Sequence, residues 1–154
     1  MIYQGEIPKI KDFKVAVITA RFNEDITYRL EMGAMRKLQE AGVPREQITQ
    51  MRVPGAFEIP LAAKYAYDMG AHAIVALGAV IRGDTSHYDY VCSAVERGCT
   101  ELQLRYAIPV AFGVLTTDNE EQALDRAGGS HGNKGEEAAS VALEMLDLKH
   151  RLMD

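Results

Sequence analysis

The run Ala73-Ile74-Val75-Ala76-Leu77-Gly78-Ala79-Val80-Ile81 has no polar side chain, and it stops abruptly at Arg82-Gly83-Asp84-Thr85-Ser86-His87. A short run of this kind, dense in β-branched residues, reads as a strand covered on both faces. Such strands belong to parallel sheets with helices packed above and below. In open sheets of that type ligands bind beyond the carboxyl ends of the strands. Chemistry is therefore expected at this junction, where small residues, backbone N–H groups and one imidazole meet.

The rest of the chain repeats the pattern. Lys14 to Ala20 reads as a first buried strand. Asn23 is placed to cap a helix with Glu24 and Asp25 in its first turn and Ile26, Leu30, Ala34, Leu38 and Ala41 along one stripe, ended by Gly42. Ile48 to Val53 is a second strand stopped by Pro54-Gly55, and the helix after it starts near Pro60 and ends at Gly70. A helix from about Tyr88 to Tyr106 follows the opening run, and Pro109 to Leu115 gives a fourth strand. Thr117-Asp118-Asn119-Glu120 fits a capping box for a short helix through Arg126, closed by Gly128-Gly129. A Gly-rich link from Ser130 to Gly135 leads to a last helix with Ala138, Val141, Ala142, Met145, Leu146 and Leu148 on its apolar face. Strand and helix alternate four times, the signature of an α/β fold with a parallel sheet, right-handed crossovers and helices on both faces.

At 154 residues the chain forms one domain large enough to bury a core without disulfides or metal. The formal net charge of −5 and the absence of a basic cluster argue against a nucleic-acid binder. Cys92 and Cys99 lie in one expected helix, about 10 Å apart along its axis, too far to bridge. Free thiols point to a reducing, cytoplasmic setting. No apolar run approaches membrane length and Met1 to Glu6 does not read as a signal peptide. His72, His87, His131 and His150 are scattered, so no metal site is expected.

Three strand ends carry unusual side chains on one edge: Phe22 with Asn23, Phe57 with Glu58, and Thr85-Ser86-His87. Two aromatics there suit a flat heterocycle, although a loop Phe also serves as core packing. Gly83 to His87 before a helix offers free N–H groups and a positive dipole end for an anion, or Thr85 or Ser86 simply caps that helix. A His at a helix N-terminus is biased toward its neutral form, able to take or give a proton near neutral pH. Arg126 and Lys134 supply two cations for phosphate, or serve helix-end compensation and solvation. The segment Gly128 to Gly135 fails the phosphate-loop spacing, and Arg21-Phe22-Asn23 replaces the Gly-rich turn of a dinucleotide site.

Six ordered segments, Ala20-Arg21-Phe22-Asn23, Val53 to Pro60, Gly78 to Tyr88, Phe112 to Thr116, Arg126-Ala127-Gly128 and Gly132 to Gly135, together closely resemble the 6,7-dimethyl-8-ribityllumazine synthases of riboflavin biosynthesis. The resemblance runs from Phe13 to about Leu148. It implies a three-layer α/β/α domain over residues 1–154, with a four-stranded parallel sheet of flavodoxin-like topology and an N-terminal arm, 1–12, that adds a strand to a neighbour. It also implies condensation of 5-amino-6-(ribitylamino)uracil with 3,4-dihydroxy-2-butanone 4-phosphate, without a cofactor, releasing phosphate and water.

By position in the family's motifs, His87 would move protons and Phe22 or Phe57 would stack on the pyrimidine. Asn23 and Glu58 would lie along the ribityl chain, and the backbone of Ala56, Val80 and Ile81 would hold polar edges. Gly83, Asp84, Thr85 and Ser86 would bind phosphate with Arg126, Lys134 would assist, and Phe112 would come from a neighbouring subunit. The family forms homopentamers with sites between subunits, some building sixty-subunit icosahedral shells. Asp84, an acid in a phosphate loop, departs from what that role needs. Two other readings are a catalytically silent shell or storage protein and an enzyme dismutating two lumazines. The presence of His87, Arg126 and both aromatics counts against the first, and the phosphate-binding loop against the second.

Overall fold

A computed structural model describes residues 1–8 and 12–153. Four strands, β1 (Val15–Ala20), β2 (Ile48–Val53), β3 (Ala73–Ile81) and β4 (Val110–Thr117), form one parallel sheet in the order β2-β1-β3-β4. The sequence places each strand within a few residues; β4 runs two residues further than its apolar pattern because Thr116 and Thr117 continue the ladder opposite Val80 and Ile81.

The helices α1 (Glu24–Glu40), α2 (Ile59–Asp68), α3 (His87–Tyr106), α4 (Glu120–Asp125) and α5 (Lys134–Met153) divide between the faces. Side chains alternate along a strand, and the alternation sorts the core in two. Val15, Val17, Val75 and Leu77 face Leu30, Ala34, Leu38, Ala139 and Leu143 of α1 and α5. Ala16, Ile18, Ile74 and Ala76 face Ile59, Ala63, Val95 and Cys99 of α2 and α3. The molecule is thus a three-layer α/β/α sandwich with the expected topology, in which the chain moves from β1 out to β2 and returns past β1 to β3. A crevice opens where the connections from β1 and β3 diverge.

Several local expectations give way to the structure. Asn23 precedes α1 in the left-handed conformation (φ 64°), and its side chain caps nothing. Its Nδ2 instead donates to the carbonyl of Ala79, 2.9 Å away, tying the end of β1 to β3; Asn tolerates this backbone better than most residues. The cap of α4 is Asn119, whose Oδ1 accepts from Gln122 N at 2.9 Å, while the Thr117 hydroxyl donates to the Asn119 carbonyl. The Gly-rich link is an antiparallel hairpin of β5 (Ala127–Gly129) and β6 (Gly132–Asn133), and α5 begins at Lys134. Periodicity misses this start because Gly135 is a poor helix former. The position admits nothing larger, since a Cβ there would strike the backbone of Leu30 where α5 crosses α1.

Of the anticipated N-terminal arm, residues 9–11 lie outside the described residues. Its first part lies against α5: Gly5 is buried and Glu6 N donates to Asp147 Oδ2 at 2.8 Å. Among the described residues no helix is long and apolar enough to cross a membrane, and no group of three His, Cys, Asp or Glu is placed to hold a metal ion.

Candidate active site

The carboxyl ends of the strands are stitched together before the site begins. Arg21 N and Phe22 N donate to the carbonyls of Val53 and Pro54, at 2.7 and 3.0 Å, which carries the β1–β2 pairing past the sheet and sets Phe22 beside the Pro54–Glu58 turn. Residues Ala56–Glu58 form a single 3-10 turn that runs straight into α2. Glu58 is held there because its Oε1 accepts from Gly55 N at 3.0 Å.

A cleft of about 750 Å³ lies over these ends, between the turn after β2 and the start of α3. Phe22 and Phe57 are 71% and 62% exposed. Large apolar side chains that stay exposed beside one concavity mark a binding surface. Ala56, Glu58, Val80, Ile81, Gly83, Thr85 and His87, all candidates by sequence, share the lining. Pro54, Gly55, Ala79, Tyr88 and Val91 also line it and were not singled out by sequence. Val91 stands one helical turn after His87, so helical spacing was the available signal for it, whereas no such spacing points to Tyr88, the next residue along. Asn23, Asp84 and Ser86 border these residues in sequence without lining the cleft.

His87 opens α3 and is exposed at the cleft, its backbone N–H donating to Thr85 Oγ1 at 3.3 Å. The loop Gly83–Ser86 therefore leads into the positive end of a twenty-residue helix. Burial pushes the phenol of Tyr88, which lines the cleft, and the thiol of Cys92, one turn on, above their ordinary ranges.

The two cations expected for phosphate are elsewhere. Arg126 and Lys134 line a second cavity of about 450 Å³ with Thr116, Thr117, Gln122, His131 and Glu137. The β5–β6 hairpin makes them neighbours although eight residues apart: Lys134 N donates to the Arg126 carbonyl at 2.8 Å. Arg126 Nη1 donates to the Gln122 carbonyl at 2.9 Å, and Lys134 Nζ stands 3.6 Å from Glu137 Oε2. Phe112, half-buried on β4, lines neither cavity. Thr117, Gln122, His131 and Glu137 line this second cavity without having been phosphate candidates by sequence.

The cleft thus offers exposed aromatic faces, a fixed carboxylate, an imidazole and a helix N-terminus, with no Lys or Arg among the described residues that line it. It suits a flat polar heterocycle beside an anion whose charge it does not itself neutralise.

The sequence profile of the 6,7-dimethyl-8-ribityllumazine synthase family matches residues 12–150. The chain is similar to the 6,7-dimethyl-8-ribityllumazine synthase of Bdellovibrio bacteriovorus, 56% identical over 139 residues, covering 90% of this chain and 76% of the relative. The enzymes of the same name from Cytophaga hutchinsonii and Halorhodospira halophila are 50% and 45% identical. The first alignment covers 94% of this chain and 91% of the relative, the second 98% and 97%.

Proposed function

The chain belongs to the 6,7-dimethyl-8-ribityllumazine synthase family, and from that premise we propose how its residues carry the family's condensation. The reaction joins 5-amino-6-(ribitylamino)uracil to 3,4-dihydroxy-2-butanone 4-phosphate and releases 6,7-dimethyl-8-ribityllumazine, phosphate and water, a step of riboflavin biosynthesis. The pyrimidine stacks between or against Phe22 and Phe57, where an apolar ring face takes a heterocycle without using a hydrogen bond. The ribityl hydroxyls run along Asn23 and the Glu58 carboxylate, and the backbone of Ala56, Val80 and Ile81 reads the ring edges. The phosphate rests on the N–H groups of Gly83 to Ser86 at the α3 N-terminus.

A primary amine of the pyrimidine attacks the ketone and water is lost to give an imine. The next carbon then loses its proton, phosphate is expelled from the carbon beyond it, the enol so formed tautomerises to a ketone, and the ribitylamino nitrogen closes the ring on that ketone with loss of water. Each step moves a proton, and His87 is the lining side chain suited to carry it near neutral pH. Neither substrate needs a nucleophile from the protein. Most of the acceleration comes from holding two reactants together, an effect worth about 7 kcal/mol or more when orientation is good.

One observation carries the assembly reading: the described residues that line the cleft include no Lys or Arg, while Arg126 and Lys134 line a separate cavity on the same chain. A phosphate dianion is best held by a guanidinium, so a neighbouring subunit supplies Arg126, Lys134 and Phe112 to each cleft. Exposed Leu61 and Tyr65 on α2 and Tyr90 and Leu104 on α3 support a homo-oligomer, a pentamer in this reading. The two free cysteines support a cytoplasmic setting.

The purified protein is mixed with both substrates while lumazine absorbance and phosphate release are followed. Product at the uncatalysed rate would sink the reading. His87→Ala is expected to lower kcat about 100-fold with little change in KM. Arg126→Ala is expected to raise KM for the phosphorylated substrate by about tenfold or more.

A further inference from the structure

Arg82 is the residue between β3 and the Gly83–Ser86 loop, and its side chain takes no part in the cleft lining. Its backbone N–H extends the β3–β4 ladder, donating to the Thr117 carbonyl at 2.8 Å. Its guanidinium then folds back over the first turn of α3. It stacks 4.3 Å from the ring centroid of Tyr88 and lies 3.8 Å from Asp89 Oδ1, while Nε donates to Asp118 Oδ1 at 3.0 Å. Tyr88 and Asp89 are the two residues that follow His87. Asp118 is anchored in turn, because its N–H donates to Gln122 Oε1 at 2.8 Å and Gln122 belongs to α4.

One planar cation therefore clamps the helix start that carries His87 to the corner between β4 and α4. We propose that Arg82 is a positioning residue for the condensation, acting on the reacting atoms only through His87. An exposed ion pair by itself contributes little; here the same guanidinium also stacks on an aromatic face and bonds a carboxylate, a combination that fixes orientation. Lysine reproduces the charge and not the planar stack. The loop after β3 is followed at once by His87, so an imidazole free to swing with an unclamped first turn loses the alignment proton transfer needs. A displacement of about 1 Å at a reacting group is enough to cost up to 100-fold in rate.

The inference rests on the assignment of His87 as proton carrier, and a double-mutant cycle separates the two. Arg82→Ala is expected to lower kcat about tenfold, with the pyrimidine KM and the assembly size unchanged. Asp118→Asn should lower kcat in the same direction by less, and Arg82→Lys should recover part of the loss. In the His87→Ala background, Arg82→Ala should change kcat by less than about twofold, since residues acting through one another are not additive. Equal losses in both backgrounds, or full kcat in Arg82→Ala beside a slow His87→Ala enzyme, would overturn the positioning role alone. Full turnover in His87→Ala would overturn both assignments. If Arg82→Ala does not fold, Asp118→Asn in the two backgrounds gives the same comparison.

Discussion

Cys99, buried on the α3 face that packs against the sheet, has its thiol pushed up to about 12, first by burial and then by the nearby charge of Glu96. Thiolate is the reactive form. Cys99 in the native protein should therefore resist alkylation at neutral pH and react only on unfolding, as mass-resolved labelling with and without denaturant will show. The other single-residue lesson is Asn23. The sequence offers it as a helix cap, a role its short side chain commonly fills. The structure uses the same amide to fasten β1 to Ala79, so a local rule is displaced by a contact between residues far apart in the chain. Glu58 shows the opposite case: its bond to Gly55 N is local, and its neighbourhood with Phe57 at the ligand edge was legible from sequence.

At the level of elements, the contact between α1 and α5 depends on Gly135 lying directly on the backbone of Leu30. Gly135→Ala should destabilise the fold by about 3 kcal/mol despite alanine's better helix propensity, measured as a lower denaturation midpoint. The outer end of α5 is held differently. Burial of Asp147 raises its carboxyl, but the bond from Arg151 and the one from Glu6 N–H outweigh this and leave it below its usual range. A carboxylate lowered in the folded state stabilises above its unfolded pKa, and that contribution is lost as pH falls through the folded value. Asp147→Asn should then cost about 1 kcal/mol at pH 7. The gap to the parent should close below about pH 4; a gap that persists there would show the loss to be steric.

For the whole molecule, the division of the machinery between two cavities makes a direct prediction. If each site takes His87 from one subunit and Arg126 from the next, the impaired His87→Ala and Arg126→Ala chains should complement when unfolded and reassembled together and assayed with the phosphorylated substrate well below its parent KM. Random mixing in a ring leaves about a quarter of the sites intact, so activity should rise to about that fraction of the parent. Equal mixtures no more active than the average of the two variants, although shown to co-assemble, would place both residues in one subunit's site. The four strands of the parallel sheet, the helices and the edge at which ligand is expected are legible in the sequence itself, since hydrophobic period and helix-stop residues act over a few positions. The strand order β2-β1-β3-β4, the hairpin that joins Arg126 to Lys134 and the distance of both from His87 are decided only by the tertiary structure. They depend on which distant surfaces fit closely enough to pack, as Gly135 does on Leu30, and no local pattern records that fit.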